Sequence, residues 1–261
     1  HGHHTANLSH RRDHGLGTPT LNMLWDPVVT RYPKAPYNIV CLSEWQRARF
    51  EALYKQPAIV MPPCVDTDRY AFEPNKSDRF LFLGKISPEK GVHLAIQYCA
   101  ELGVPLDIVG GLIPSDYASQ YLQRIQILVF NAQNHGHDIQ FHFNVTEDAK
   151  IRFLQRARAV LYPVQQDEAH WLVGVEAWSC GTPTLCLARG AMKEIHYLPP
   201  DGGWVVGGRP WWGPGHAVEG IMDIPPEQAF KNVMQSPMVA LPRACRDYAE
   251  EHFDRRRVVS R

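Results

Sequence analysis

The chain carries no surplus charge. Lys+Arg and Asp+Glu each number 27 in 261 residues, so no global basic field exists to gather nucleic acid or anionic lipid. Nucleic acid is excluded as a main partner on that ground, and so are bulk membrane electrostatics. There is no C-x-x-C pair either. The six cysteines (Cys41, Cys64, Cys99, Cys180, Cys186, Cys245) are scattered, which predicts reduced, partly buried thiols in a cytoplasmic protein rather than a disulfide frame. No apolar run approaches the roughly 20 residues of a membrane-spanning helix, and no signal peptide is visible. The chain opens His1-Gly-His-His4 without a methionine, the pattern of a start that is missing or removed. His1, His3, His4, His10 and His14 lack ordered helical spacing and carboxylate or cysteine partners, so a flexible start, a tag remnant or a truncated domain edge is expected there rather than a zinc site.

What is present is a 44% hydrophobic composition, enough for one large core or two modest ones. Strands are expected at 27–30, 37–42 and 58–61, with a helix over 44–54 capped by Ser43. Trp45, Ala48, Phe50 and Leu53 would form that helix's apolar face. Pro62-Pro63 stops the third strand. Residues 66–78 turn polar and read as a linker, so the chain divides into an N-terminal portion at 1–65 and a second domain at 79–261. From there strands at 79–83, 106–109, 139–143, 159–162 and 184–187 alternate with helices at 92–102, 116–131, 147–158 and one ending at Gly181. This order is that of a doubly wound parallel α/β sheet. Past Glu194 the pattern weakens to a small strand at 203–206, a Gly/Pro/Trp loop at 207–215 and helices at 226–234 and 242–253.

Two glutamates carry the clearest chemistry. Glu168 and Glu176 stand eight positions apart in Asp167-Glu-Ala-His-Trp-Leu-Val-Gly-Val-Glu176-Ala-Trp-Ser-Cys-Gly-Thr-Pro183. The first is expected on the loop that leaves a strand and the second about a turn inside the following helix. In an open parallel sheet that is the crevice where ligands bind. Each carboxylate can accept hydrogen bonds from a diol, and the adjacent helix N-terminus can take a phosphate on its free amides. Diol, phosphate and diol together describe a sugar nucleotide. The second constellation is Gly84-Lys-Ile-Ser-Pro-Glu-Lys90-Gly91. Gly84 lets the backbone turn at a strand end, and Lys85 and Lys90 can flank the loop. Taken alone they read as two solvated lysines. Converging with the glutamates on one sheet edge, they suit a diphosphate and the charge that grows on it as it leaves.

With these blocks in place, the chain resembles the retaining, family-four type of GT-B glycosyltransferases. The stretch Val60-Met-Pro-Pro-Cys-Val-Asp66-Thr-Asp-Arg-Tyr70, the lysine loop, the block from Glu168 to Pro183 and the closing Ala249-Glu-Glu-His-Phe253 carry the likeness. The resemblance implies a nucleotide-diphospho-sugar donor and an acceptor hydroxyl on a saccharide, lipid or small molecule. It implies no cofactor and no metal. It also implies roles residue by residue. Glu168 touches hydroxyls of the donor sugar, and Glu176 holds the ribose diol. Lys85 and Lys90 contact the diphosphate beside Gly84. The backbone at Trp171, Leu172 and Val173 faces phosphate or sugar, Asn144 and Val145 border the base, and Glu194 matches an acidic residue of less defined role.

Three departures are visible. Lys85 stands where arginine is usual and lacks its planar fork. His170-Trp-Leu-Val-Gly174 replaces the aromatic-glycine pair that ordinarily follows the first glutamate. Only the last part of the N-terminal Rossmann-like domain, 27–61, is recognisable. An alternative therefore stands beside the enzyme: a nucleotide-sugar-binding module that turns over only with a missing domain, a partner subunit or a second copy of itself. A GT-B epimerase is a weaker third reading, against which the lysine loop argues. His93 and Asp66 read as structural. Trp204, Trp211 and Trp212 read as a packed loop, with a carbohydrate platform or peripheral membrane contact as the other option.

Overall fold

In the computed structural model, the residues described are 22–24, 38–195, 215–218, 225–235 and 242–258. The expected strands at 27–30 and 203–206, the Trp204/Trp211/Trp212 cluster and the N-terminal histidines lie outside them. Two parallel sheets make the frame. The first joins β1 (Asn22–Met23), β2 (Ile39–Cys41) and β3 (Ile59–Val60) in that order. Helix α1 (Glu44–Tyr54) links β2 to β3 and starts where Ser43 Oγ accepts from Gln46 N at 3.2 Å. A small core of Leu24, Ile39, Cys41, Phe50 and Ala58 lies beneath it.

The face of α1 differs from the periodic reading. Leu53 is 48% exposed, while Gln46 is buried. Its amide accepts from Leu42 N at 2.7 Å and donates to Leu24 O at 3.1 Å. A polar side chain there is stable because backbone groups of two neighbouring segments satisfy it, a relation that hydrophobic periodicity cannot register.

The second sheet holds six strands in the order β6-β5-β4-β7-β8-β9, every paired neighbour parallel. They are β4 (Phe80–Lys85), β5 (Leu106–Gly111), β6 (Ile139–Phe143), β7 (Val160–Tyr162), β8 (Thr184–Leu187) and β9 (Gly215–Val218). The helices between and after them are α2 (Val92–Leu102), α3 (Asp116–Asn134), α4 (Glu147–Arg156), α5 (Leu172–Ser179), α6 (Met192–Ile195), α7 (Pro226–Gln235), α8 (Pro242–His252) and α9 (Arg255–Val258). β9 and the short α6 and α9 were not foreseen from sequence. Apart from Thr184, the buried stretches of β4, β7 and β8 are built of apolar and aromatic residues, as expected when helices cover both faces. The strand order reverses between β4 and β7, and their carboxyl ends open on the crevice that doubly wound sheets use for ligands.

Residues 66–78 run along this second unit. Tyr70 is buried in its core, and Val65 pairs with Asp254 as the chain returns from α8. Arg246 Nη1 donates to the carbonyls of Thr67, Tyr70 and Ser179 at 2.7–2.9 Å. Lys76 does similar work, donating to Gln155 O, Cys180 O and Thr182 Oγ1 at 2.8–2.9 Å, so it clasps the ends of α4 and α5. Burial lowers its ammonium from 10.5 to about 8.

Lys76→Met is expected to cost about 2 kcal/mol, because three partly buried hydrogen bonds lose their donor. The sign of its pH dependence follows from the shift. Between about pH 8 and 10.5 the unfolded chain holds a proton on this lysine that the folded chain has lost, so Lys76 contributes more stability as pH rises through that window. Denaturant midpoints of both proteins should diverge from pH 8 to 10. Parallel profiles would remove Lys76 from this role.

Candidate functional site

Two loops that are distant in sequence are brought together by backbone contacts at the ends of β4 and β7. Gln165 N donates to Glu89 O at 2.8 Å. Gly91, at φ +77°, lies so close to Pro163 that a Cβ would overlap the proline carbonyl. This approach carries Lys90 to the glutamate loop, and Lys90 Nζ donates to Glu168 Oε1 at 2.5 Å. The same oxygen accepts from Tyr162 OH at 2.9 Å and Gln166 Nε2 at 3.2 Å. The carboxylate is therefore buried, 6% exposed, and held through one oxygen by three donors. Burial and the Glu168 charge beside it push the Tyr162 phenol well above its ordinary range, which keeps it a donor. Tyr162 also stacks on Trp171, with ring centroids 4.4 Å apart and planes 8° from parallel.

A cavity of about 160 Å³ opens over this group. Lys90, Tyr162, Glu168, His170, Trp171, Leu172 and Val173 line it, and Leu42 and Pro63 close it from the side of the first sheet. Helix α5 begins here, and its first amides have no side-chain cap. Gly174 lets Trp171 fold back over the first turn, since a Cβ there would stand 2.7 Å from the indole. Behind Glu168, the backbone pairs with Gly190 in a parallel bridge, and Ala191 N donates to Glu168 O at 2.8 Å.

The other residues singled out from sequence fall nearby but not in this contact. Lys85 pairs with Glu89 at 3.2 Å and lines a second cavity of about 220 Å³ with Ser87, Pro88, Ile113, Ser115 and Tyr117. Glu176, a turn into α5 as expected, lines neither cavity. It accepts from Tyr70 OH at 2.8 Å and from Lys150 Nζ at 3.0 and 3.1 Å. Burial, then the Glu176 charge, raises the Tyr70 phenol far above its usual range. Gly84 sits in β4 with its carbonyl against Gly110. Asn144, at φ +52°, follows β6 and donates its N–H to Gly110 O at 2.9 Å. Val145 packs on the large core. So the structure joins Lys90 to Glu168, and sets Lys85 and Glu176 on separate partners.

Tyr162, Gln166, Lys150 and Tyr70 escaped the sequence reading, although all four orient the two glutamates. Tyr162 reads as the last apolar residue of a strand, and only its hydroxyl hinted otherwise. His93 Nδ1 lies 2.7 Å from Tyr121 OH, and Asp66 pairs with Arg255 at 2.9 Å, both structural contacts as expected. Glu194 of α6 accepts from Glu44 N at 2.7 Å and Trp45 N at 2.9 Å, a carboxylate seated at the positive end of α1. Among the described residues there is no group of three or more side chains able to hold a metal ion, and no helix is long and apolar enough to cross a membrane.

Comparison with known proteins places this arrangement among others. The family model described as glycosyl transferases group 1 matches residues 66–198, about half of the chain. Lipopolysaccharide 1,2-N-acetylglucosaminetransferase of Salmonella typhimurium is 25% identical over 186 aligned residues, 62% of this chain and 48% of that protein. The chain thus spans about half the length of that curated relative. Among solved structures, AviGT4, a glycosyltransferase involved in avilamycin A biosynthesis, superposes with a TM-score of 0.63 at 22% identity, over 92% of this chain and 65% of its own. Sucrose-phosphate synthase from Thermosynechococcus elongatus gives 0.67 at 20% identity, over 85% and 55%. Anabaena HepE, solved in complex with UDP and glucose, gives 0.64 at 16%, over 85% and 60%. At these identities the structural likeness establishes the fold, an α/β GT-B architecture.

Proposed function

The chain belongs to the glycosyl transferases group 1 family, and on that premise we propose that it moves a sugar from a nucleotide-diphospho-sugar donor to an acceptor hydroxyl with retention of anomeric configuration. The observation that carries the reading is the Lys90–Glu168 contact at the switch point of the sheet. It sets a cation for a diphosphate beside a carboxylate whose second oxygen no described residue bonds. That oxygen is the one available to a sugar hydroxyl. The uncapped amides of α5 meet phosphate oxygens from the same side. Lys85, at the end of β4, adds a second ammonium by leaving its pairing with Glu89, so the counter-charge for the leaving diphosphate comes from the protein. Glu176, oriented by Tyr70 and Lys150, takes the ribose diol. Asn144 and Val145 border the base, and Gly84 lies beside the diphosphate. The acceptor hydroxyl enters on the face from which the diphosphate departs and passes its proton to the departing oxygen.

Lys85 is paired with Glu89 and lines a cavity other than that of Lys90, which favours one second reading, a donor-binding module that needs a further domain or subunit for turnover. A ligand panel separates the readings. UDP, GDP, ADP and their sugars are tested by thermal shift, since a ligand at a hundredfold excess over its Kd adds about 2.7 kcal/mol of stability. One nucleotide and its sugar should stabilise the chain, and Glu176→Ala should weaken both about 10-fold or more. Release of the sugar from the bound donor marks the enzyme, and binding without release marks the module. A flat response to every nucleotide sinks both.

A further inference from the structure

Among the described residues that line the site, His170 is the side chain with two buried polar atoms and no partner for either. It lies two residues after Glu168 and lines the same cavity. Both of its ring nitrogens are shielded from solvent, and neither has a hydrogen-bond partner among the described residues. Its ring meets Phe253 edge-on, with centroids 5.8 Å apart at 71°. Burial lowers its pKa from 6.5 to about 3, so the ring is neutral and offers one donor and one acceptor. Leaving both idle lowers the stability of the folded chain. A phenylalanine would keep the contact with Phe253 without that penalty, so packing alone does not account for an imidazole. The ammonium and the phenol beside it are already engaged. Lys90 and Tyr162 both bond Glu168.

We propose that His170 reads the donor sugar: when a nucleotide sugar occupies the cavity, the imidazole turns to hydrogen-bond a polar substituent on the sugar ring held by Glu168. This rests on the nucleotide-sugar reading above and deepens it. A neutral imidazole matches a hydroxyl, which both donates and accepts, or an acylamino group, which also does both. It discriminates against a sugar lacking the substituent, because the nitrogen would then stay unpaired in the complex. Nucleotide alone does not reach it.

The test compares the unaltered chain with His170→Phe and His170→Gln. Calorimetric titrations use UDP, GDP and ADP and, for the nucleotide that binds, its glucose, mannose and N-acetylglucosamine conjugates as available. His170→Phe should melt at or above the unaltered chain and bind the bare nucleotide within about twofold. Its affinity for the preferred nucleotide sugar should fall about 10-fold, narrowing the difference among sugars. His170→Gln, which retains a donor and an acceptor, should recover part of that loss. In nitrogen-15-labelled protein, the imidazole signals absent from His170→Phe should move on adding the nucleotide sugar and stay in place with nucleotide alone. A His170→Phe protein that melts lower while keeping the sugar preferences would assign the ring to packing and overturn the inference while leaving the function standing. Failure of the unaltered chain to bind any nucleotide overturns the functional reading itself, and this one with it.

Discussion

Lys90→Met is expected to weaken nucleotide-diphosphate binding roughly 10- to 100-fold, the range that loss of a charge-assisted hydrogen bond of about 1.5–3 kcal/mol implies. The same change should lower stability by about 3 kcal/mol, for a reason independent of any ligand. Glu168 is 6% exposed, and Lys90 is the one cation bonded to it among the described residues. Without that cation, a buried carboxylate keeps only Tyr162 OH and the Gln166 amide. The two losses separate experimentally. Glu168→Gln combined with Lys90→Met removes both charges, so much of the stability should return while the diphosphate affinity does not. Equilibrium denaturation and calorimetry of the single and double variants form the cycle. A Lys90→Met chain that binds the nucleotide as tightly as before removes Lys90 from the site.

Gly91→Ala leaves every charge in place and should still cost about 3 kcal/mol, lowering the melting temperature by about 6–12 °C. Gly91 caps α2 in the left-handed region, where a Cβ is strained by roughly 1–2 kcal/mol. The added methyl would also press into the Pro163 carbonyl, a backbone atom that cannot step aside without moving the exit of β7. That exit carries the glutamate loop. Gly91→Ala should therefore weaken nucleotide binding as well, although Lys90 and Glu168 are both retained. Differential scanning calorimetry alongside the ligand titration reads both effects. Melting and binding indistinguishable from the unaltered chain would show that the close approach does not hold the loops together.

These two neighbours show what the sequence makes legible. The doubly wound order, the helices over 44–54 and 92–102, and the strand-loop-helix setting of Glu168 and Glu176 all follow from apolar runs and from punctuation by Ser43, Gly91 and Gly181, because local propensity and tertiary packing agree there. The meeting of Lys90 with Glu168 was also foreseeable, because parallel strands place their carboxyl ends on one edge. Its mode was not. It depends on Gly91 reaching Pro163 and on Glu89 O accepting from Gln165 N, contacts between segments with no periodic relation. The separation of Lys85 from Lys90 was missed for a similar reason. Glu89, read as one more loop residue, draws Lys85 toward the second cavity. The buried amide of Gln46 and the orientation of Glu176 by Lys150 are side-chain relations across elements, invisible to spacing along one.

Glu194 bears on how this protein can be taken apart. The few residues from Gly190 to Glu194 press on the backbone of Glu168 at one end and seat a carboxylate on the first two amides of α1 at the other. The break near residue 65 is thus no clean seam for grafting. A front half borrowed from another protein must present two open helix amides where Glu44 and Trp45 now stand, or the transplant will disturb the Glu168 carboxylate without having touched it.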